Sequence, residues 1–218
     1  MWTQAASLLQ LLHFAATVDR LPEAAGPRTG SGSGPRVLIL GDSSAAGVGV
    51  EKQDQALAGQ FVAALGGADW QLVARSGATA AQALRMRAQA GPCDVAITAL
   101  GVNDVLHHTS APRFRAGQVA LLHALRAEHG ARLVLASGVP PLGEFTTFPQ
   151  PLRGHLGRRA ARLDAVLQAV CRATGAVQGP FDLSPDPDWL ARDGLHPSVK
   201  LYMEWGARMA GLVLRALS

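Results

Sequence analysis

Residues 37–47 read VLILGDSSAAG, an unbroken apolar run that ends in a glycine, an aspartate and two serines. Such a run is typical of a strand that is covered on both faces of a parallel sheet. Three more apolar runs follow, with longer helical patterns between them, at residues 71–74, 94–100 and 132–137. Strands that alternate with helices predict an α/β fold, a doubly wound three-layer α/β/α sandwich around a parallel sheet.

The other patterns divide the chain into residues 1–35 and a single larger domain, residues 36–218. Residues 20–36, RLPEAAGPRTGSGSGPR, are rich in Pro, Gly and Ser and show no periodicity, which predicts a linker. Apolar periodicity predicts helices over residues 54–65, 79–89, 112–129, 153–173 and 199–216. A chain of 218 residues is long enough to bury one core without a second domain.

The sequence of the amino-terminal segment predicts a separate helix before the linker. Residues 4–18 carry no acidic or basic side chain apart from His13, yet the stretch is too short and too polar to span a bilayer. The sequence before it, MWTQ, lacks the basic residues of a secretion signal. An amphipathic helix that packs on its own domain or on a membrane surface is therefore favoured over a signal, and a cytoplasmic or peripheral membrane location over secretion. No pattern indicates an oligomeric state.

Charge and cysteine content exclude several function classes. The formal net charge is +4, but the richest basic stretch lies in a helical pattern without interleaved aromatic residues, so a solvated helix face is favoured over nucleic-acid binding. Cys93 and Cys171 have no Cys or His neighbour at metal-ligand spacing and are expected to be buried small residues. The stretch Gly47–Gly49 lacks both nucleotide-binding fingerprints. We therefore expect no metal, no cofactor and no nucleic-acid partner.

Polar residues follow the predicted strands where each strand ends. Ser43 follows the first, Ser76 and Gly77 the second, and Asn103 the third; Asp193 and His196 precede the last helix. Ligands bind outside the carboxyl ends of the strands in such folds, so these loops should hold the chemistry. Acyl transfer by serine needs a base, a group that orients the base, and donors aimed at the oxyanion.

The inventory supplies each of these parts. His196 can accept the proton of Ser43, and Asp193, three positions earlier across a glycine, can orient the imidazole. The backbone N–H groups of Ser43 and Gly77 and the side-chain amide of Asn103 are the candidate oxyanion donors. The alternative for each residue alone is structural: Gly77 as a turn residue, and Asn103 with the following Asp104 as a helix start. Asp104 itself is interpreted as structural.

The four blocks GDSS (41–44), Ser76-Gly77, GVND (101–104) and DGLHP (193–197) occur in order and resemble the signature blocks of the SGNH (GDSL) hydrolase family. The resemblance implies a flavodoxin-like fold and hydrolysis of esters or thioesters without a cofactor. It also implies a triad of Ser43, Asp193 and His196 and an oxyanion hole of Ser43, Gly77 and Asn103. One departure is Ser44, where the family usually has leucine; it leaves two adjacent hydroxyls, of which the motif favours Ser43.

Substrate choice is expected to depend on residues 107–112 and 139–151, with His107, Phe145 and Phe148 as candidate substrate-binding side chains. The alternative for the two phenylalanines is that they only anchor their loop to the core. The preferred function is hydrolysis of a small-molecule ester. The expected substrates are short acyl or aryl esters, with thioesters as a further class. A sugar-ester deacetylase or an acyltransferase would use the same residues, whereas a binding module without turnover would not need an intact triad.

Overall fold

The computed structural model describes residues 2–181 and 186–217 of the 218-residue chain. Seven helices and six strands are present in these ranges, with two short 3-10 turns at Arg87–Gln89 and Pro187–Trp189. The strands are β1 (Thr29–Gly30), β2 (Arg36–Gly41), β3 (Asp69–Ala74), β4 (Val95–Ala99), β5 (Leu133–Ser137) and β6 (Val177–Gly179). The helices are α1 (Trp2–Thr17), α2 (Leu57–Leu65), α3 (Ala80–Met86), α4 (Val102–Leu106), α5 (Ala111–Ala127), α6 (Leu152–Thr174) and α7 (Val199–Leu217).

All six strands form one sheet in the order β1-β3-β2-β4-β5-β6. Strands β2 to β6 are parallel to one another, and only the edge strand β1 runs antiparallel, against β3. The five parallel strands therefore have the flavodoxin-like order 2-1-3-4-5, whose direction of winding reverses between β2 and β4. A crevice opens at this reversal, outside the carboxyl ends of the two strands.

Both faces of the sheet are covered, which explains the unbroken apolar runs. Leu38 and Leu40 of β2 lie in the core formed with helices α3, α5 and α6. Val37 and Ile39 of the same strand lie in the second core, formed with helices α2 and α7. Because successive side chains of a strand point to opposite faces, a strand buried on both sides needs apolar residues at every position. The predicted three-layer α/β/α fold is confirmed.

The segment expected to be a linker takes part in the sheet. Residues Thr29 and Gly30 pair with Gln71 and Trp70 of β3, and the Leu72 amide donates to the Arg28 carbonyl at 2.7 Å. Ala24 is buried in the core beside α2 and α7. A strand of two residues is too short to show alternation, which is why composition alone indicated a linker. The division into residues 1–35 and 36–218 as separate units stays a prediction.

Helix α1 packs on its own domain, which is one of the arrangements expected for it. Leu11 and Phe14 lie against the core on the side of α3, α5 and α6. The ring of Phe14 lies 4.7 Å from that of Phe148, centroid to centroid. In the described ranges no helix has the combination of length and apolar content that a bilayer span requires. A peripheral membrane contact stays a prediction.

Candidate active site

The loop after β2 carries Asp42 and Ser43 into the crevice beside β4. Its backbone is held from below by Tyr202 of α7, whose hydroxyl donates to the carbonyl groups of Ser44 and Val48 at 2.9 and 2.8 Å. Tyr202 is fully buried, so these two bonds are shielded from water. The position of Ser43 is therefore fixed by the packing of α7 against the sheet.

Gly49 lets this loop approach the segment that carries His196. Its backbone has φ +107°, and a Cβ placed there would lie 2.3 Å from the carbonyl oxygen of Pro197. Any side chain would therefore push the two segments apart. Gly49 belongs to the stretch Gly47–Gly49, which has no nucleotide-binding fingerprint. Its role in the structure is to allow close contact between these two loops.

Ser43, His196 and Asp193 form a continuous hydrogen-bonded chain. Nε2 of His196 lies 2.9 Å from Oγ of Ser43, and Nδ1 lies 2.6 Å from Oδ2 of Asp193. The other carboxylate oxygen of Asp193 accepts the backbone N–H groups of Leu195 and His196 at 2.9 and 3.0 Å. The Asp193 side chain is fully shielded and the His196 side chain is 19% exposed. Three groups from opposite ends of the chain are thus in contact, and the ring can exchange a proton with Ser43.

The Asp193 carboxyl is held in its charged form. Burial raises its pKa, but the hydrogen bonds from the ring and backbone of His196 and from the Leu195 backbone outweigh burial, and the net pKa lies below the ordinary value. Asp193 therefore stays ionised in weakly acidic solution and accepts the Nδ1–H of the ring, which leaves Nε2 free to accept the Ser43 proton.

The candidate oxyanion donors lie around the same crevice. The backbone N–H groups of Ser43 and Gly77 donate to no protein acceptor in residues 2–181 and 186–217. Gly77 has φ +81°, and the direction in which a side chain would point is open space. Both N–H groups are therefore available to a ligand.

Asn103 lines the crevice, but its amide already has partners. Nδ2 donates to Oδ2 of Asp42 at 3.1 Å and to the carbonyl of Ala78 at 3.2 Å. A developing oxyanion would compete with the neutral Ala78 carbonyl for one of these hydrogens, and the charged acceptor forms the stronger bond. Asp42 then keeps the amide oriented. Asp104, at the next position, accepts the Ala80 backbone N–H at 2.9 Å and so holds the start of α3.

Asp42 belongs to the site, although the sequence analysis did not single it out as a functional residue. Its carboxyl is 2% exposed and accepts the Ser44 backbone N–H at 3.0 Å as well as the Asn103 amide. Burial raises the pKa of Asp42 to about 6, and the bonds from Ser44 and Asn103 and the charge of His196 only partly offset this. The signal in the sequence was its place between a buried strand and the serine.

The raised pKa of Asp42 predicts a pH-dependent stability difference. The Asp42 carboxyl binds its proton more tightly in the folded protein than in the unfolded chain. Its contribution to the free energy of unfolding is therefore fully present below the ordinary carboxyl pKa of about 4 and is lost as the pH rises through about 6. Asp42→Asn does not titrate, so the free energy of unfolding of the wild type minus that of the variant should fall by up to about 3 kcal/mol between pH 4 and pH 7. Urea unfolding at a series of pH values measures this difference. A difference that stays constant over this range would contradict the buried, proton-binding carboxyl.

The sequence-predicted substrate residues are placed differently from one another. His107 and Phe145 line the crevice, whereas Phe148 does not. Phe148 is completely buried and packs against Phe14 of α1, so it has the anchoring role that was the alternative for it, and its assignment to substrate binding is corrected.

Cys93 and Cys171 are both buried and free. In the described ranges no group of three or more His, Cys, Asp or Glu side chains could hold a metal ion.

A loop that precedes β2 supports the turn at Gly77, one of the candidate oxyanion donors. Oε1 of Glu23 accepts both the backbone N–H and the hydroxyl of Ser76, at 2.8 and 2.7 Å. Glu23 also forms an ion pair with Arg28, whose guanidinium donates to the Ala74 carbonyl at 2.7 Å. These contacts fix residues 74–76 and with them the turn at Gly77. Nothing in the Pro- and Gly-rich sequence around Glu23 indicated this role.

Comparison with known proteins places this geometry in a family. The GDSL-like lipase/acylhydrolase family matches residues 39–203, a range that contains all four sequence blocks. The chain belongs to this family. As a GDSL-like acylhydrolase it is a carboxylic ester hydrolase, which confirms the family and the enzyme class predicted from the sequence. A search of curated protein sequences found no significant match.

Several solved structures with the same fold are esterases. The psychrotrophic esterase EstA from Pseudoalteromonas sp., inhibited by monoethylphosphonate, is 20% identical; the alignment covers 84% of this chain and 98% of that one, with a TM-score of 0.64. The aryl esterase of M. smegmatis is 20% identical over 84% of this chain and 99% of its own, with a TM-score of 0.65. Est24, a carbohydrate acetylesterase from Sinorhizobium meliloti, is 20% identical over 83% and 99%, with a TM-score of 0.64. At these identities the likeness shows the fold.

Proposed function

We propose that this GDSL-like hydrolase cleaves carboxylic esters through an acyl-enzyme on Ser43, with His196 as general base and Asp193 as the group that orients it. The observation that carries the proposal is the hydrogen-bonded chain from Ser43 Oγ through His196 to Asp193, at 2.9 and 2.6 Å, at the edge of an open crevice. A serine hydroxyl is a weak nucleophile until such a base accepts its proton.

The reaction proceeds in two balanced halves. Oγ of Ser43 attacks the acyl carbon while Nε2 of His196 takes the hydroxyl proton, and the carbonyl oxygen becomes an oxyanion. Collapse of this intermediate breaks the ester bond, and the leaving alcohol takes the proton from His196. Water then attacks the acyl-enzyme in the same way and releases the acid and the free serine.

The oxyanion is stabilised by the backbone N–H groups of Ser43 and Gly77 and by the amide of Asn103. The two backbone groups are unengaged within the described residues, so the oxyanion need not displace a protein acceptor from them. Removing one donor of this kind typically lowers kcat by about 10²–10³-fold. Asp42 positions the Asn103 amide, and Glu23 positions the loop that ends at Gly77.

The crevice favours acyl or aryl esters over the other expected substrates. Leucine and phenylalanine side chains, among them Leu142, Phe145 and Leu195, make up much of its lining. A sugar ester would bring several hydroxyl groups that need polar partners, and leaving them unpaired would weaken binding. Transfer of the acyl group to an alcohol other than water uses the same residues and is tested by adding competing alcohols to the hydrolysis assay.

Labelling with a serine-directed phosphonate tests the proposed nucleophile and base together. The phosphonate phosphorus takes the place of the acyl carbon, and Ser43 Oγ displaces its leaving group. Intact-mass spectrometry and peptide mapping should show one adduct, on Ser43, and His196→Ala should slow its formation by about 10²–10⁴-fold. His123→Ala, which removes an exposed histidine of α5, is the control and should label like the wild type. Folded wild type without an adduct would overturn the proposal and favour a binding module.

A further inference from the structure

Helix α1 is tied to both sides of the crevice. Gln10 donates from Nε2 to the Gln150 carbonyl at 2.8 Å and accepts the Leu152 backbone N–H at Oε1, at 3.1 Å. Just after the helix, Asp19 forms an ion pair of 3.1 Å with Arg192, the neighbour of Asp193. With the Phe14–Phe148 contact, these bonds hold the amino-terminal segment between residues 150–152 and the loop that carries the base.

In this position the amino-terminal segment forms a wall of the cavity above Ser43. The cavity has a volume of about 780 Å³. The apolar side chains that residues 11–21 contribute to its lining are Leu11, Leu12, Phe14, Val18 and Leu21. Other apolar lining comes from Leu100, Leu106, Leu142, Phe145, Leu190 and Leu195. The family match begins only at residue 39, so this wall lies outside the matched residues.

The apolar lining of the cavity indicates which part of an ester substrate would bind there. Cavities of roughly 300–1,000 Å³ enclose ligands much larger than an acetyl group, and burying each CH2 of an alkyl chain strengthens binding by about fourfold. The acyl group becomes bonded to Ser43 in the first half-reaction and remains in the site until water releases it in the second, whereas the alcohol leaves after the first. An apolar space beside Ser43 therefore benefits the acyl side of the ester more than the leaving alcohol.

We propose that α1 is the acyl-binding wall of this enzyme and that its preferred substrates are esters of medium-length alkyl acids, such as octanoate, rather than of acetate. The inference rests on the proposed function, because it needs the acyl group on Ser43. It extends the short acyl and aryl esters expected from the sequence to longer chains, and it makes Leu11 a residue that determines specificity.

Two substitutions of Leu11 test the proposal in opposite directions. Leu11→Trp narrows the cavity and should move the chain-length optimum for p-nitrophenyl esters toward shorter acyl groups. It should lower the octanoate-to-acetate ratio of kcat/KM by tenfold or more. Leu11→Ala widens the cavity and should move the optimum toward dodecanoate. Simple loss of folding cannot move the optimum in both directions, and thermal unfolding of each variant checks the fold independently.

Leu9→Trp is the matched control on the same helix. Leu9 is 68% exposed and does not line the cavity, so this variant should keep the wild-type activity and chain-length optimum. The inference is overturned if the wild type hydrolyses acetate no less well than octanoate, or if the optimum stays fixed in both Leu11 variants. In either case the phosphonate adduct on Ser43 would leave the proposed function standing. Absence of hydrolysis with every ester, and of the adduct, would overturn both.

Discussion

Ser43→Ala should lower kcat/KM for p-nitrophenyl esters by about 10⁴–10⁶-fold and leave the fold intact, because Ser43 Oγ is the hydroxyl in contact with the base His196. Ser44→Ala, which removes the neighbouring hydroxyl, should stay within about tenfold of the wild type. The difference follows from the hydrogen bonding: Oγ of Ser43 contacts Nε2 of His196, whereas Ser44 is held through its backbone, by Asp42 and Tyr202.

Initial rates of ester hydrolysis, with circular dichroism to check folding, measure both variants. The pair also resolves the ambiguity that the adjacent serines left in the sequence. If Ser44→Ala were the inactive variant, the nucleophile would be Ser44 and the motif alignment would be wrong by one position. Equal activity of Ser43→Ala and the wild type would exclude Ser43 as the nucleophile, and full activity of both variants would exclude an acyl-enzyme at either serine.

Asp193→Asn should lower kcat by about 10⁴-fold, with a smaller effect on KM. A carboxamide can turn its NH2 toward Nδ1 of His196, and the ring then carries its proton on Nε2. In that tautomer Nε2 cannot accept the Ser43 proton. The variant also weakens the bonds that Asp193 accepts from the Leu195 and His196 backbone, which hold the turn. Because the lost interaction acts in the transition state, kcat should fall rather than KM rise.

Steady-state kinetics on Asp193→Asn and on Asp188→Asn separate this role from a general effect of charge. Asp188 is exposed and lies five positions earlier in the same segment, so its variant should keep wild-type kcat. A loss of less than tenfold in Asp193→Asn, or an equal loss in both variants, would remove Asp193 from the role of orienting group.

The fold and most of the site were predictable because both depend on strand ends. An apolar run in the sequence indicates each buried strand, and parallel strands bring their carboxyl ends to one edge of the sheet. Ser43 and Asn103 follow β2 and β4, the strands between which the winding reverses, so two loops far apart in sequence had to meet there. The Asp193–His196 contact was predictable for another reason, since a tight turn joins them.

The contacts of the first 35 residues could not be predicted in the same way. The bonds of Gln10 reach across 140 and 142 residues and depend on one side chain, which leaves no periodic signal. Amino-acid composition likewise gives no indication of the two-residue strand β1 or of the hydrogen bonds between Glu23 and Ser76. Phe148 was ambiguous because an aromatic residue in a loop can face a ligand or the core, and only the docking of α1 decides between them.

Strand β1 also has a consequence for edge-to-edge pairing between molecules. It occupies the outer edge of β3, and an uncovered sheet edge presents a row of unpaired N–H and C=O groups that can template pairing with another chain. A chain that lacked residues 1–35 would expose the β3 edge at Trp70 and Gln71, together with the apolar surface that α1 covers, which includes Phe148. We therefore expect a chain without these 35 residues to self-associate more readily than the 218-residue chain, so that its loss of activity would report on aggregation as well as on the site.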